Sequence, residues 1–135
     1  KQEKNDMAAS EEDKGSIMSI LATDLPVTSR QLKRILKRTG VGIARTGGYT
    51  GHGSGEVMIG FTTANRIPSG REEELLQISA IPEHVINRAF LAAAEAEQEA
   101  ILNSMTAAKQ TRGREGELYY SLAEYLNDRE VETSK

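Results

Sequence analysis

The sequence predicts an α+β domain. Two apolar runs have strand length, SIMSILAT at 16–23 and EVMIGFTTA at 56–64, and two other stretches carry helical periodicity, 28–38 and 83–110. Composition sets the scale. A chain of 135 residues with 38% hydrophobic content suits one globular domain, and 4% aromatics without Trp leaves the core to aliphatic side chains. A domain this small buries a smaller share of its surface than a larger one.

Residues 1–15 are polar and acidic-leaning with no periodic apolar pattern, and read as a mobile lead. In the first strand Ile17 and Met18 are both apolar, which predicts burial on both faces. Asp24, Leu25 and Pro26 end it. The helix over 28–38 has Thr28 and Gln31 as a capping-box pair and Val27 and Leu32 at the staple positions. Leu32, Ile35 and Leu36 share its apolar face. Arg30, Lys33, Arg34, Lys37 and Arg38 form a basic face read as solvated, and Gly40 reads as the C-terminal stop. Residues 41–46 read as a second strand. Glycine-rich 47–56 follows, then the third strand, with Val57, Ile59 and Phe61 on one face and Met58, Gly60 and Thr62 on the other. Residues 65–81 connect, broken by Pro68 and Gly70. Pro82 suits the first turn of the long helix, whose stripe is Val85, Ile86, Ala89, Phe90, Ala93, Ala100, Ile101, Met105 and Ala108. Gly113 and Gly116 interrupt, and 118–126 reads as a last short helix. There is no internal repeat.

Several function classes are disfavoured. Net charge is −3 and the pI about 5.5, unlike the basic footprint of nucleic-acid binders. Cysteine is absent, so there are no disulfides or thiolate metal sites, and the spacing of His52 and His84 matches no zinc motif. No apolar run approaches the roughly 20 residues of a membrane span. Neither metal nor cofactor is expected, nor a nucleic-acid or membrane partner. No signal peptide is visible and the expected location is cytoplasmic, although a chain that begins at Lys1 rather than Met reads as a piece of a longer precursor.

The segment GGYTGHGSGE at 47–56 is too rich in glycine for ordinary structure. It lacks the Gly-Lys-Ser/Thr ending of a Walker A loop. Ser54 is flanked two residues away by His52 and Glu56, not by the glycines of a nucleophile elbow. A strand follows it, unlike a dinucleotide fingerprint. On pattern alone it is a tight loop between strands. Ser54 and Glu56, two apart at a strand start, point to one face and can form a hydrogen-bonded pair.

Three segments, GSIMSILATDLP, GIARTGG and GHGSGEVMIGFTTANRIP, resemble in order the DmpA-type family of N-terminal-serine hydrolases, the L-aminopeptidase/D-amidase-esterases and β-peptidyl aminopeptidases. The likeness runs over about 14–110 and does not include the tail from Arg112. It implies a four-layer αββα sandwich of the kind shared with ornithine acetyltransferases, completed by a larger chain outside this sequence. It also implies a precursor cut at Gly15–Ser16, so that 1–15 is the tail of the larger chain or an uncut linker and 16–135 is the smaller chain. Ser16 then carries over as nucleophile and cleavage-site residue with Gly15. Ser54 and Glu56 carry over as its catalytic partners, while a tyrosine and an asparagine of the oxyanion site lie on the larger chain. Implied partners are that chain, an amino-acyl amide or ester substrate, and further αβ units in an oligomer.

Two other readings stand beside this one. Acyl transfer, as in the acetyltransferases, places a threonine where Ser16 stands. A non-catalytic assembly subunit would use the alanine-rich helix alone.

Overall fold

The computed structural model describes residues 15–70 and 75–133. Of the polar lead expected over 1–15, residues 1–14 lie outside the described residues, as do 71–74 of the connector. Strand β1 (Ile17–Thr23) leads into helices α1 (Ser29–Leu36) and α2 (Thr39–Arg45), and these into strand β2 (Glu56–Thr62). A single 3₁₀ turn (Glu83–Val85) opens the long helix α3 (Ile86–Ala107). Strands β3 (Thr111–Arg112) and β4 (Leu118–Tyr119) form a small hairpin before helix α4 (Leu122–Thr133).

β1 and β2 run parallel in a register that pairs Ile17 with Glu56 and Thr23 with Thr62. Parallel neighbours need a crossover of a dozen residues or more. Here α1 and α2 supply it. The capping box forms as the sequence predicts: Thr28 Oγ1 accepts from Gln31 N–H at 3.2 Å, and Gln31 Oε1 accepts from Thr28 N–H at 3.1 Å. The side-chain amide of Gln31 also donates to Ile81 O at 2.7 Å, tying the helix start to the chain that enters α3. Val27, Ile35, Ile86, Ala89 and Ala93 form the core, with Leu21, Leu25, Leu32, Ile81 and Phe90 packed around them. Full burial of each branched side chain is worth about 1.5–3 kcal/mol.

Residues 41–45 are helical and Thr46 caps them, so 41–46 is not a strand. Their β-branched members suggest extension, but tertiary packing outweighs so weak a preference. α2 lies hard against α3. A Cβ on Gly42 would sit 2.5 Å from Ala94 O and 2.8 Å from Gln98 N, so this contact needs a residue with no side chain. Gly40, expected as a helix stop, lies inside α2, and α1 ends before it at Leu36.

The alternation in β2 agrees with the sequence pattern, but β1 is not buried on both faces. Ser19 and Leu21 turn toward the helices, whereas Met18 is 74% and Ile20 71% exposed. Across the register Val57, Ile59 and Phe61 continue this bare face, each about half exposed. The bare row is more apolar than the covered one, which includes Ser19, Glu56, Gly60 and Thr62.

The apolar stripe of α3 is buried only over its first half. Ile86, Ala89, Ala93 and Ala94 are buried, while Ala100, Met105 and Ala108 are exposed. The reason is length. A helix of 22 residues extends about 33 Å, against about 23 Å for a strand of seven. α3 therefore overshoots the sheet.

The basic face of α1 is only partly solvated. Arg30 and Arg34 both pair with Glu83, and the guanidinium groups of Arg34 and Arg38 lie 5.3 and 4.3 Å from the centre of the Phe90 ring. Partial desolvation on its own would raise the Glu83 carboxyl. The hydrogen bonds from Arg34, Arg30 and Gln31 prevail and hold it below the usual glutamate value. The last helix starts later than the sequence suggests. Leu118 and Tyr119 pair with Arg112 and Thr111, and Ser121 caps α4 by a reciprocal exchange with Glu124.

Candidate active site

Ser16 directly precedes β1, and Glu56 is the first residue of β2. Their parallel register brings both strand starts to one end of the sheet. Gly55 joins them through its backbone. Its carbonyl accepts from Ile17 N–H at 3.1 Å, and its N–H donates to Ser16 Oγ at 3.2 Å. Ser16 is exposed and its oxygen is held as an acceptor, so its own proton remains available for transfer.

A turn closes over Gly51–Ser54, with Ser54 N–H donating to Gly51 O at 3.1 Å. Ser54 Oγ stands 3.0 Å from Glu56 Oε1 and 3.0 Å from Gly51 O. A hydroxyl has one proton for these two acceptors, so the donor can switch between them. Both side chains are half-buried.

The far wall comes from the end of α2. Gly48 N–H donates to Ile43 O at 3.1 Å and Gly47 N–H to Ala44 O at 3.2 Å. Gly47 has φ of 99°. This is a Schellman ending, which needs a left-handed residue at the position of Gly47. It turns the chain so that 47–50 bends back over Ser16, with Thr50 itself at a φ of 53°. The result is a cavity of about 210 Å³. Gly15, Ser16 and Ile17 line it together with Ser54 and Glu56, and Ile43 with the 47–50 segment completes the lining.

All four residues singled out in the sequence thus meet in one cavity. Ile43 and Tyr49 join them without having been expected there. Their signal is a Gly-Gly pair after a run that ends in helix, hidden when 41–46 is read as extended. His52 and His84 are both exposed and lie outside the cavity. Among the described residues no three His, Asp or Glu gather closely enough to hold a metal ion.

Known proteins share this arrangement of chain. The profile of peptidase family S58 matches residues 1–119. β-Peptidyl aminopeptidase BapA of Sphingosinicella microcystinivorans is 35% identical over 102 residues, covering 76% of this chain and 26% of that protein. Among solved structures, the PH0078 protein from Pyrococcus horikoshii superposes with a TM-score of 0.73 at 46% identity, covering 82% of this chain and 31% of the other. The L-aminopeptidase D-Ala-esterase/amidase from Ochrobactrum anthropi, a variant of the Ntn hydrolase fold, gives 0.70 at 34% identity, with 76% and 30% covered. The chain spans under a third of the length of these relatives. Its α+β fold is that of the matching part of these DmpA-type structures. The motifs, the fold and the sequence match agree: this chain belongs to peptidase family S58.

Proposed function

We propose that this chain carries the nucleophile of a self-processing aminopeptidase/amidase, with Ser16 freed by cleavage of the Gly15–Ser16 bond. In this reading 1–15 ends a larger chain and 16–135 is the smaller one. The observation that carries it is the seat of Ser16: its hydroxyl is fixed by Gly55 N–H in a cavity shared with Gly15, Ser54 and Glu56.

Processing comes first. Ser16 Oγ attacks the Gly15 carbonyl carbon, the Gly15–Ser16 C–N bond breaks, and the hydroxyl proton passes to the departing amine. Water then opens the resulting ester to leave the Gly15 carboxylate and a free Ser16 with its own α-amine. No Cβ on Gly15 obstructs the attack.

The freed amine has an ordinary pKa of about 7.7–8.0, so much of it is neutral near neutral pH and can accept the Ser16 hydroxyl proton. The Ser54–Glu56 pair orients that amine and relays the proton to the leaving group. The acyl group passes to Ser16, the amine or alcohol product leaves, and water attacks the acyl-enzyme to release the acid. Substrates are N-terminal amino-acyl amides or esters, as the names of the aminopeptidase relatives suggest.

The bare sheet face fits the same reading. Ser16 directly precedes the strand whose Met18 and Ile20 lie bare. A second sheet from the larger chain, laid on this row, would cover the apolar patch and close the cavity, and αβ units would assemble further. So large an exposed apolar patch marks an interaction surface.

The test uses the full-length protein. Ser16→Ala is expected to leave a single uncut species by intact mass and no hydrolysis of amino-acyl p-nitroanilides. Glu56→Gln should fold and lose about 10²–10⁴-fold in turnover, the usual size of a general acid–base contribution. A cut or active Ser16→Ala protein overturns the mechanism, and full activity in Glu56→Gln removes Glu56 from it.

A further inference from the structure

We infer that Ile43 and Gly48 form a rigid back wall that sets the size of the acyl side chain admitted beside Ser16. This rests on the function proposed above and adds a specificity-determining pair to it.

The wall cannot retreat. Ile43 is 6% exposed. Its carbonyl accepts from Thr46 N–H at 3.1 Å, Thr46 Oγ1 at 2.8 Å and Gly48 N–H at 3.1 Å, so its backbone is held by the helix ending. The preceding residue, Gly42, lies against the backbone of α3, where even a methyl group would meet Ala94 O at 2.5 Å. In front, a Cβ on Gly48 would come within 2.6 Å of Ile43 Cγ2 and 3.3 Å of Ile43 O. The helix ending thus fixes the backbone of Ile43, the contact of Gly42 holds α2 against α3, and Gly48 packs on the Ile43 side chain at the cavity. Tyr49 differs. It lines the same cavity but is 75% exposed, so its ring can swing aside and does not fix the size.

Ile43 and Gly48 line this cavity together with Ser16. A wall that cannot move passes each added methylene directly into selectivity. One methylene in an apolar pocket discriminates about 10–200-fold.

The experiment compares kcat/KM for leucyl and alanyl p-nitroanilides on single preparations of the full-length protein. The ratio cancels the fraction of active enzyme, so partial misfolding or slow processing does not obscure it. Ile43→Ala is expected to raise the leucyl-to-alanyl ratio about tenfold or more, and Ile43→Val to raise it by a smaller factor. Gly48→Ala, which forces Ile43 or the 47–50 segment toward the cavity, should lower it about tenfold. If Ile43→Ala gives no active protein, Ile43→Val and Gly48→Ala decide the matter. Ratios that stay within twofold of the parent in these variants overturn the inference while leaving the hydrolase reading in place. A parent protein that cleaves neither substrate, and nothing else of the amino-acyl class, overturns the hydrolase reading itself.

Discussion

The two faces of the β1–β2 ribbon are made by alternate residues of the same strands, yet their surroundings are opposite. The covered face carries Ser19, Glu56, Gly60 and Thr62 among its apolar residues and lies under the helices. The other carries Met18, Ile20, Ala22, Val57, Ile59 and Phe61, without one polar side chain, and nothing in the described residues lies on it. A lone domain places its more apolar face inward. That this chain does the reverse supports the proposed reading of it as half of a core. The covered face can include polar groups because partners meet them, as Ser19 Oγ does by donating to Glu97 Oε1 on α3 at 2.5 Å.

The largest effect is expected from a charge on the bare face. Ile59→Asp in the full-length protein should abolish assembly and activity together, since an unpaired buried carboxylate costs several kcal/mol. Size-exclusion chromatography and hydrolysis report it. Normal assembly would mean that the face looks onto water in the whole protein. A smaller effect belongs to the covered side. Gly42→Ala should destabilise by about 1–3 kcal/mol, the usual cost of overpacking, read as a lower midpoint in urea. An unchanged midpoint would show that α2 can lift from α3, and would weaken the rigid wall with it.

The smallest effect tests the clamp between the covering helices. Glu83 is held below its ordinary value when folded, so its contribution to stability is fully present above the unfolded glutamate value and is lost as pH falls through the folded one. Glu83→Gln should therefore be slightly less stable than the parent at pH 7, and the gap should vanish on acidification below that window. A gap that is constant with pH would assign the role of Glu83 to shape and not to charge. The pair is exposed, so the effect is small.

The site is legible in the sequence to the extent that its chemistry lies in short local patterns. Ser16 stands out at the junction of a polar lead and an apolar run. Ser54 and Glu56 stand out because residues two apart on a strand share a face. The capping pair Thr28 and Gln31 is equally plain, because a cap is a matter of residue type at fixed offsets. The end of α2 is not legible. Val41, Ile43 and Thr46 favour extension, and only contact of Gly42 with Ala94, Glu97 and Gln98 of α3, more than 50 positions along the chain, holds this segment as a helix that ends at Arg45. The cap of α4 is obscured although Ser121 and Glu124 carry the same box as α1, because the apolar residues before it read as part of the helix.

Residue order alone determines the local features: strand alternation, the capped first helix, a serine after glycine, and a Ser-Gly-Glu segment at a strand start. These depend on fixed spacings within a few residues, where backbone geometry leaves little choice. Only the folded chain decides which strand starts lie side by side, which face is covered, and where the cavity wall stands. Those depend on contacts between segments tens of residues apart, and close packing rather than local preference settles them.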